Sequence, residues 1–146
     1  MEAFAQTSWV TSLRSTNSKP MKLLHIKEIL KADVLVGTEK LESEIEAGTA
    51  SDLMSDMLRG PTNGTVLLTG LNNIQVIRSS VISGVAAVVL VRDKKPTADM
   101  ISHATEHNLP VLTTPYTMYS ACGRLFREGL RGVENRGSDR ASAEEG

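Results

Sequence analysis

Cysteine is almost missing from this chain: Cys122 is the only one in 146 residues. A single thiol closes no intramolecular disulfide and builds no cysteine-based zinc site. A reducing, cytoplasmic setting is the expectation that fits. Aromatic residues are scarce too, with one Trp, two Tyr and two Phe, too few for a platform on which nucleic-acid bases stack. Neither sign of charge dominates, since 16 basic residues face 17 acidic ones. The electrostatic footprint of a phosphate-backbone binder is therefore lacking, and nucleic acid is not an expected partner. No apolar run approaches the roughly 18 residues that span a bilayer. The longest, residues 85–91, has the length of one buried strand, so no membrane association is expected.

What remains is an ordinary globular composition, 40% hydrophobic, in a chain of single-domain size. Residues 1–20 are rich in Ser and Thr and hold no apolar block like that of a signal peptide. They read as a disordered leader, or as sequence upstream of a second start at Met21. Arg14 and Lys19 among the hydroxyl residues give only a faint likeness to a transit peptide. From Gly132 onward Gly, Ser, Arg and Glu alternate with almost no apolar residues, the composition of an untethered tail. The expected organisation is a leader over 1–20, one folded domain over 21–131 and a tail over 132–146.

Within the domain, Ile26, Ile29 and Leu30 predict a first short helix over 24–31. Asp33-Val34-Leu35-Val36 reads as a strand closed by Gly37, and 42–47 as a short edge strand. Ser51 is placed to cap a second helix with Leu53, Met54, Met57 and Leu58 on one face, stopped by Gly60-Pro61. A firmer rhythm follows. Apolar runs at 66–69, 85–91 and 111–113 alternate with helices capped by Asn72 or Asn73, by Thr97, and by Thr114 with Pro115 in the first turn. Continuous apolar strands alternating with amphipathic helices predict an α/β fold, a mainly parallel sheet with helices on both faces, its crossovers right-handed.

In such a sheet, ligands bind beyond the carboxyl ends of the strands. Three loops are expected there: 69–73, 92–95 and 113–116. Gly70 allows close backbone approach, and Thr69, Asn72, Asn73, Thr113, Thr114 and Tyr116 offer neutral hydrogen-bonding groups. Arg92, Lys94 and Lys95 add positive charge where helix N-termini already favour anions. A phosphate- or carboxylate-bearing small molecule suits this edge, although capping rules account for the same Thr and Asn residues. Asp93 is the only carboxylate in the three loops and has lysines beside it. No nucleophile with a positioned base emerges, so no catalytic residue is assigned and no cofactor is called for.

One motif points elsewhere. His103-Ala104-Thr105-Glu106-His107 matches the H-x-x-E-H pattern of inverted zinc peptidases, with both histidines on one helix face. The helix stops at once at Asn108-Leu109-Pro110, and a third ligand from another helix is not evident. A solvated helix end is the plainer reading, and no metal is expected. Residues 60–64 contain glycine but lack the lysine and hydroxyl of a phosphate loop. Cys122 falls on the apolar face of the last helix, where an inert buried thiol is usual.

Several segments together resemble a DRTGG domain. They are residues 50–58, Leu67-Leu68-Thr69-Gly70-Leu71-Asn72-Asn73, Gln75-Val76-Ile77-Arg78, Val88-Val89-Leu90-Val91, residues 108–118 and Ala121-Cys122-Gly123-Arg124-Leu125. The likeness runs from about Met21 to Leu130 and is greatest to short stand-alone members, some of them accompanying iron-only hydrogenases. Of the five residues that name the family, only Thr69-Gly70 stands at the corresponding strand end. The resemblance implies a regulatory domain without catalytic residues, similar to the N-terminal domain of HPr kinase/phosphorylase and prone to form homodimers. The expected function is thus a non-catalytic module sensing a small phosphorylated ligand, such as a nucleotide. The alternative is a homodimeric module docking on a partner enzyme or redox protein. A zinc hydrolase using His103, Glu106 and His107 stands third.

Overall fold

The computed structural model describes residues 19–58 and 60–135. Most of the expected leader and the last eleven residues of the expected tail lie outside these. In chain order the elements are β1 (Met21–Lys22), α1 (Leu23–Ile29), β2 (Asp33–Val36), β3 (Glu44–Ile45), β4 (Ala47–Ala50) and β5 (Thr65–Thr69). Then come α2 (Ile74–Ser83), β6 (Ala87–Leu90), α3 (Ala98–Glu106), β7 (Val111–Thr113) and α4 (Met118–Arg127). No helix among the described residues is long and apolar enough to cross a membrane.

Every residue of β5, β6 and β7 is buried, as strands covered on both faces must be. Their side chains divide by the period-2 rule. Val66, Leu68, Ala87, Val89 and Leu112 face Leu23 and Ile26 of α1 and Ala121 and Leu125 of α4. Leu67, Val88, Leu90 and Val111 face Val76 and Ile77 of α2 and Met100 and Ala104 of α3. The result is a three-layer α/β domain. Its main sheet has the order β2-β7-β6-β5-β4, parallel except for the antiparallel edge strand β2. Strands β1 and β3 form a separate antiparallel pair.

Four expectations need correction. The strand placed over 42–47 is two strands, with β4 extending to Ala50 and pairing with β5 in the main sheet. The helix expected after Ser51 is a 3₁₀ turn, Met54–Leu58, that buries only Met57. Leu53 and Leu58 are 58% and 59% exposed, so helical spacing there does not mark a core face. The last helix is capped by Thr117, whose hydroxyl accepts from the Ser120 N–H at 3.2 Å, and not by Thr114. Finally, the stretch expected as a tail begins inside the fold. Gly48 donates its N–H to the Arg131 carbonyl at 2.9 Å, Gly132 bridges to Gly48, and Val133–Asn135 form a 3₁₀ turn.

Candidate ligand site at the carboxyl edge of the sheet

Because β4 to β7 are parallel, their carboxyl ends share one edge. The three expected loops do meet there. Asn72 donates its side-chain N–H to the Lys95 carbonyl (3.0 Å), and the Thr113 hydroxyl donates to the Lys94 carbonyl (2.7 Å). The backbone N–H groups of Arg92 and Asp93 donate to the carbonyls of Tyr116 and Thr114, each at 2.8 Å. The chain leaves β6 toward α3 on one face and leaves β7 toward α4 on the other. Connections that diverge from adjacent parallel strands open a crevice between them, the place where ligands of open α/β sheets bind.

Arg92 and Asp93 stand where these connections diverge, in an unusual conformation. Both are left-handed, with φ of 56° and 61°, in a region that non-glycine residues rarely enter. Such conformations are held by the surrounding structure and cluster at functional sites. The two backbone bonds to the 114–116 segment hold them here. Arg92 is exposed, and Asp93 lies 3.6 Å from Lys95 in an exposed pair.

The other expected site residues are largely engaged within the protein. The Asn73 side chain caps α2 by accepting the Gln75 N–H at 3.0 Å. The buried Thr114 hydroxyl donates to the Leu30 carbonyl at 2.6 Å. Tyr116 is half-buried against the α1/α4 core, with the Arg124 guanidinium 4.0 Å above its ring. Thr69 is buried, and its hydroxyl donates to Asp52 Oδ1 (3.0 Å) while accepting the Leu71 N–H (3.2 Å).

Asp52 is the residue that sequence reasoning missed. Its Oδ1 also accepts the Gly70 N–H at 2.7 Å, so an exposed carboxylate already sits on the end of β5. A β4 strand reaching Ala50, in register with Leu68, brings Asp52 to this edge as a fourth loop. The edge then carries Arg92, Lys94 and Lys95 against Asp52 and Asp93, with Asp56 in the Asp52 loop and Asp33, opposite Thr113, also near it. Cys122 lies off this edge on α4 and is half-buried; burial pushes its thiol above the ordinary range and keeps it protonated at neutral pH.

A family model described as the DRTGG domain matches residues 25–127. No curated protein matches the chain. Among solved structures, the chain is similar to the CBS and DRTGG domains of the regulatory region of Clostridium perfringens pyrophosphatase, complexed with the activator diadenosine tetraphosphate. The TM-score is 0.61 and the identity 18%, over 86% of this chain and 53% of that one. At that identity the likeness speaks for the fold, and the chain spans about half the length of that solved chain.

Proposed function

Since the chain belongs to the DRTGG-domain family, we propose that it is a non-catalytic regulatory module that senses a small phosphorylated ligand, a nucleotide among the candidates, in the crevice between the β6 and β7 loops. The observation that carries this reading is the left-handed Arg92-Asp93 pair at the carboxyl edge between β6 and β7. In this reading the exposed Arg92 guanidinium meets the phosphate, since Arg binds phosphate through two parallel N–H donors. Lys94 and Lys95 strengthen the field. The solved pyrophosphatase regulatory region, which binds diadenosine tetraphosphate, makes nucleotides the first compounds to try. Thr114 is a structural residue in this reading.

Thermal unfolding tests it. A ligand at ten times its Kd stabilises by about 1.4 kcal/mol, a shift on the order of 5 °C for a domain of this size. Arg92→Ala is expected to abolish the shift while leaving the unliganded midpoint nearly unchanged, because alanine can occupy the same backbone conformation at similar cost. If no phosphorylated compound stabilises the protein, or if Arg92→Ala responds like the parent, the reading is wrong.

A second reading, docking on another copy or on a partner enzyme, is favoured by the outer face of α4. Tyr119 and Phe126, seven residues apart and so on one helix face, are 89% and 52% exposed. Beside Phe126 a groove of about 190 Å³ runs between β4 and α4. Aligned exposed apolar side chains mark interaction surfaces. In sedimentation at micromolar concentration, the parent should be dimeric and Tyr119→Ser/Phe126→Ser monomeric; a monomeric parent removes the homodimer.

A further inference from the structure

Helix α3 runs from the ligand edge to the opposite edge of the sheet and ends just before β7. Its last turn carries His103, Glu106 and His107 at positions i, i+3 and i+4, which share a face. One ligand atom from each of the three lies within 4.8 Å of the others. His103 Nδ1 is 3.9 Å from Glu106 Oε2, and the two imidazole centroids are 4.4 Å apart. Donors about 2.0–2.2 Å from one ion in a tetrahedral site lie about 3.4 Å from each other. Side-chain movements of about an ångström, within reach of side chains that are half-buried or exposed, would bring the three onto one ion.

Two features make this more than a coincidence of spacing. His107 Nδ1 lies 3.1 Å from the His103 carbonyl oxygen. Donating its proton there, the ring keeps its lone pair on Nε2, the arrangement by which metal-binding imidazoles are oriented. The helix end is also firmly closed. His107 donates its N–H to the His103 carbonyl and Leu109 to that of Ala104, at 3.1 and 2.9 Å. Asn108 turns the chain in the left-handed conformation, and Leu109 and Pro110 are buried. The abrupt stop that seems to deny His107 a scaffold in the sequence is what anchors it. The carbonyl end of a helix favours a cation in addition.

We propose that His103, Glu106 and His107 bind one divalent transition-metal ion, of the class of Zn²⁺, Co²⁺ or Ni²⁺, at the C-terminal end of α3. Two imidazoles and one carboxylate suit such ions, whereas Mg²⁺ and Ca²⁺ require shells of oxygen. Water completes the coordination. Glu106 is a ligand here and not a base, so the site is a binding site and carries no hydrolytic step. It is independent of the phosphorylated-ligand reading.

The test uses the untagged, metal-free full-length chain, titrated with Co²⁺ by visible absorption and with Zn²⁺ by calorimetry. One equivalent is expected, without competition from excess Mg²⁺. The chain has three histidines, so the controls are complete. His103→Ala and His107→Ala should each weaken binding at least about tenfold, and Glu106→Gln measurably, while His25→Ala should leave it unchanged. A stoichiometry below about a tenth of an equivalent would overturn the proposal. So would parent-like affinity in any of the three ligand variants, or a loss of binding in His25→Ala.

Discussion

Gly37→Ala is expected to lower the unfolding free energy by about 2–5 kcal/mol, from left-handed strain and overpacking together. Gly37 has φ of 90° and ψ of 32°, between β2 and the 3₁₀ turn Thr38–Lys40. A residue with a Cβ pays about 1–2 kcal/mol for left-handed backbone. The added methyl group would also stand 2.8 Å from Pro110 Cα and 2.9 Å from its Cβ. Pro110 cannot step aside freely. It is buried, its carbonyl accepts the Val88 N–H at 3.0 Å, and it leads directly into β7. Overpacking of this kind adds about 1–3 kcal/mol. Urea unfolding should show the midpoint fall with its slope unchanged. Gly123, mid-helix in α4 with open space around it, is the control: alanine there should stabilise by up to about 1 kcal/mol. A loss below about 1 kcal/mol for Gly37→Ala would mean that the β2–β7 seam yields, contrary to the packing described.

The three-layer arrangement is legible in the chain because burial on both faces leaves a simple trace. Val66-Leu67-Leu68 and Ala87-Val88-Val89-Leu90 have no polar alternation, the pattern of strands in a sheet covered on both faces. The helices between them announce themselves by capping residues, and Asn73 and Thr97 act as expected. Strand β4 leaves almost no trace. Ala47-Gly48-Thr49-Ala50 has little apolar bulk, and its place in the sheet is fixed by partners far off in sequence, β5 on one side and the 131–132 segment on the other. Missing β4 meant missing Asp52, since only the register of Ala50 against Leu68 carries that carboxylate to Thr69 and Gly70. The Met54–Leu58 turn misleads for a different reason. Ser51 accepts the Leu53 N–H at 2.9 Å in a local turn, a bond that competes with helix initiation.

Thr114→Val is expected to destabilise the domain by about 2 kcal/mol while preserving the response to a phosphorylated ligand. Thr114 followed by Pro115 reads as a helix cap, yet the cap is Thr117. The difference arises because the 92–93 amides pair with the carbonyls of Tyr116 and Thr114, which holds 114–116 as a loop and moves the helix start to Thr117. Thr114 then turns inward. Its hydroxyl meets the carbonyl of Leu30 at the end of α1, 84 residues away in sequence, and accepts the Tyr116 N–H at 3.3 Å. The end carbonyls of a helix have no partner within it, and both Leu30 and Thr114 are buried. Valine keeps the shape of threonine but leaves that carbonyl without its donor, so the cost is a desolvated acceptor and not a cavity. Equilibrium unfolding gives the stability change, and thermal shifts with and without nucleotide give the response. Arg92→Ala is expected to show the opposite pattern, parent-like stability with the response lost. If Thr114→Val instead abolished the response at unchanged stability, the hydroxyl would be a ligand contact, and the bond to Leu30 would be dispensable to the fold.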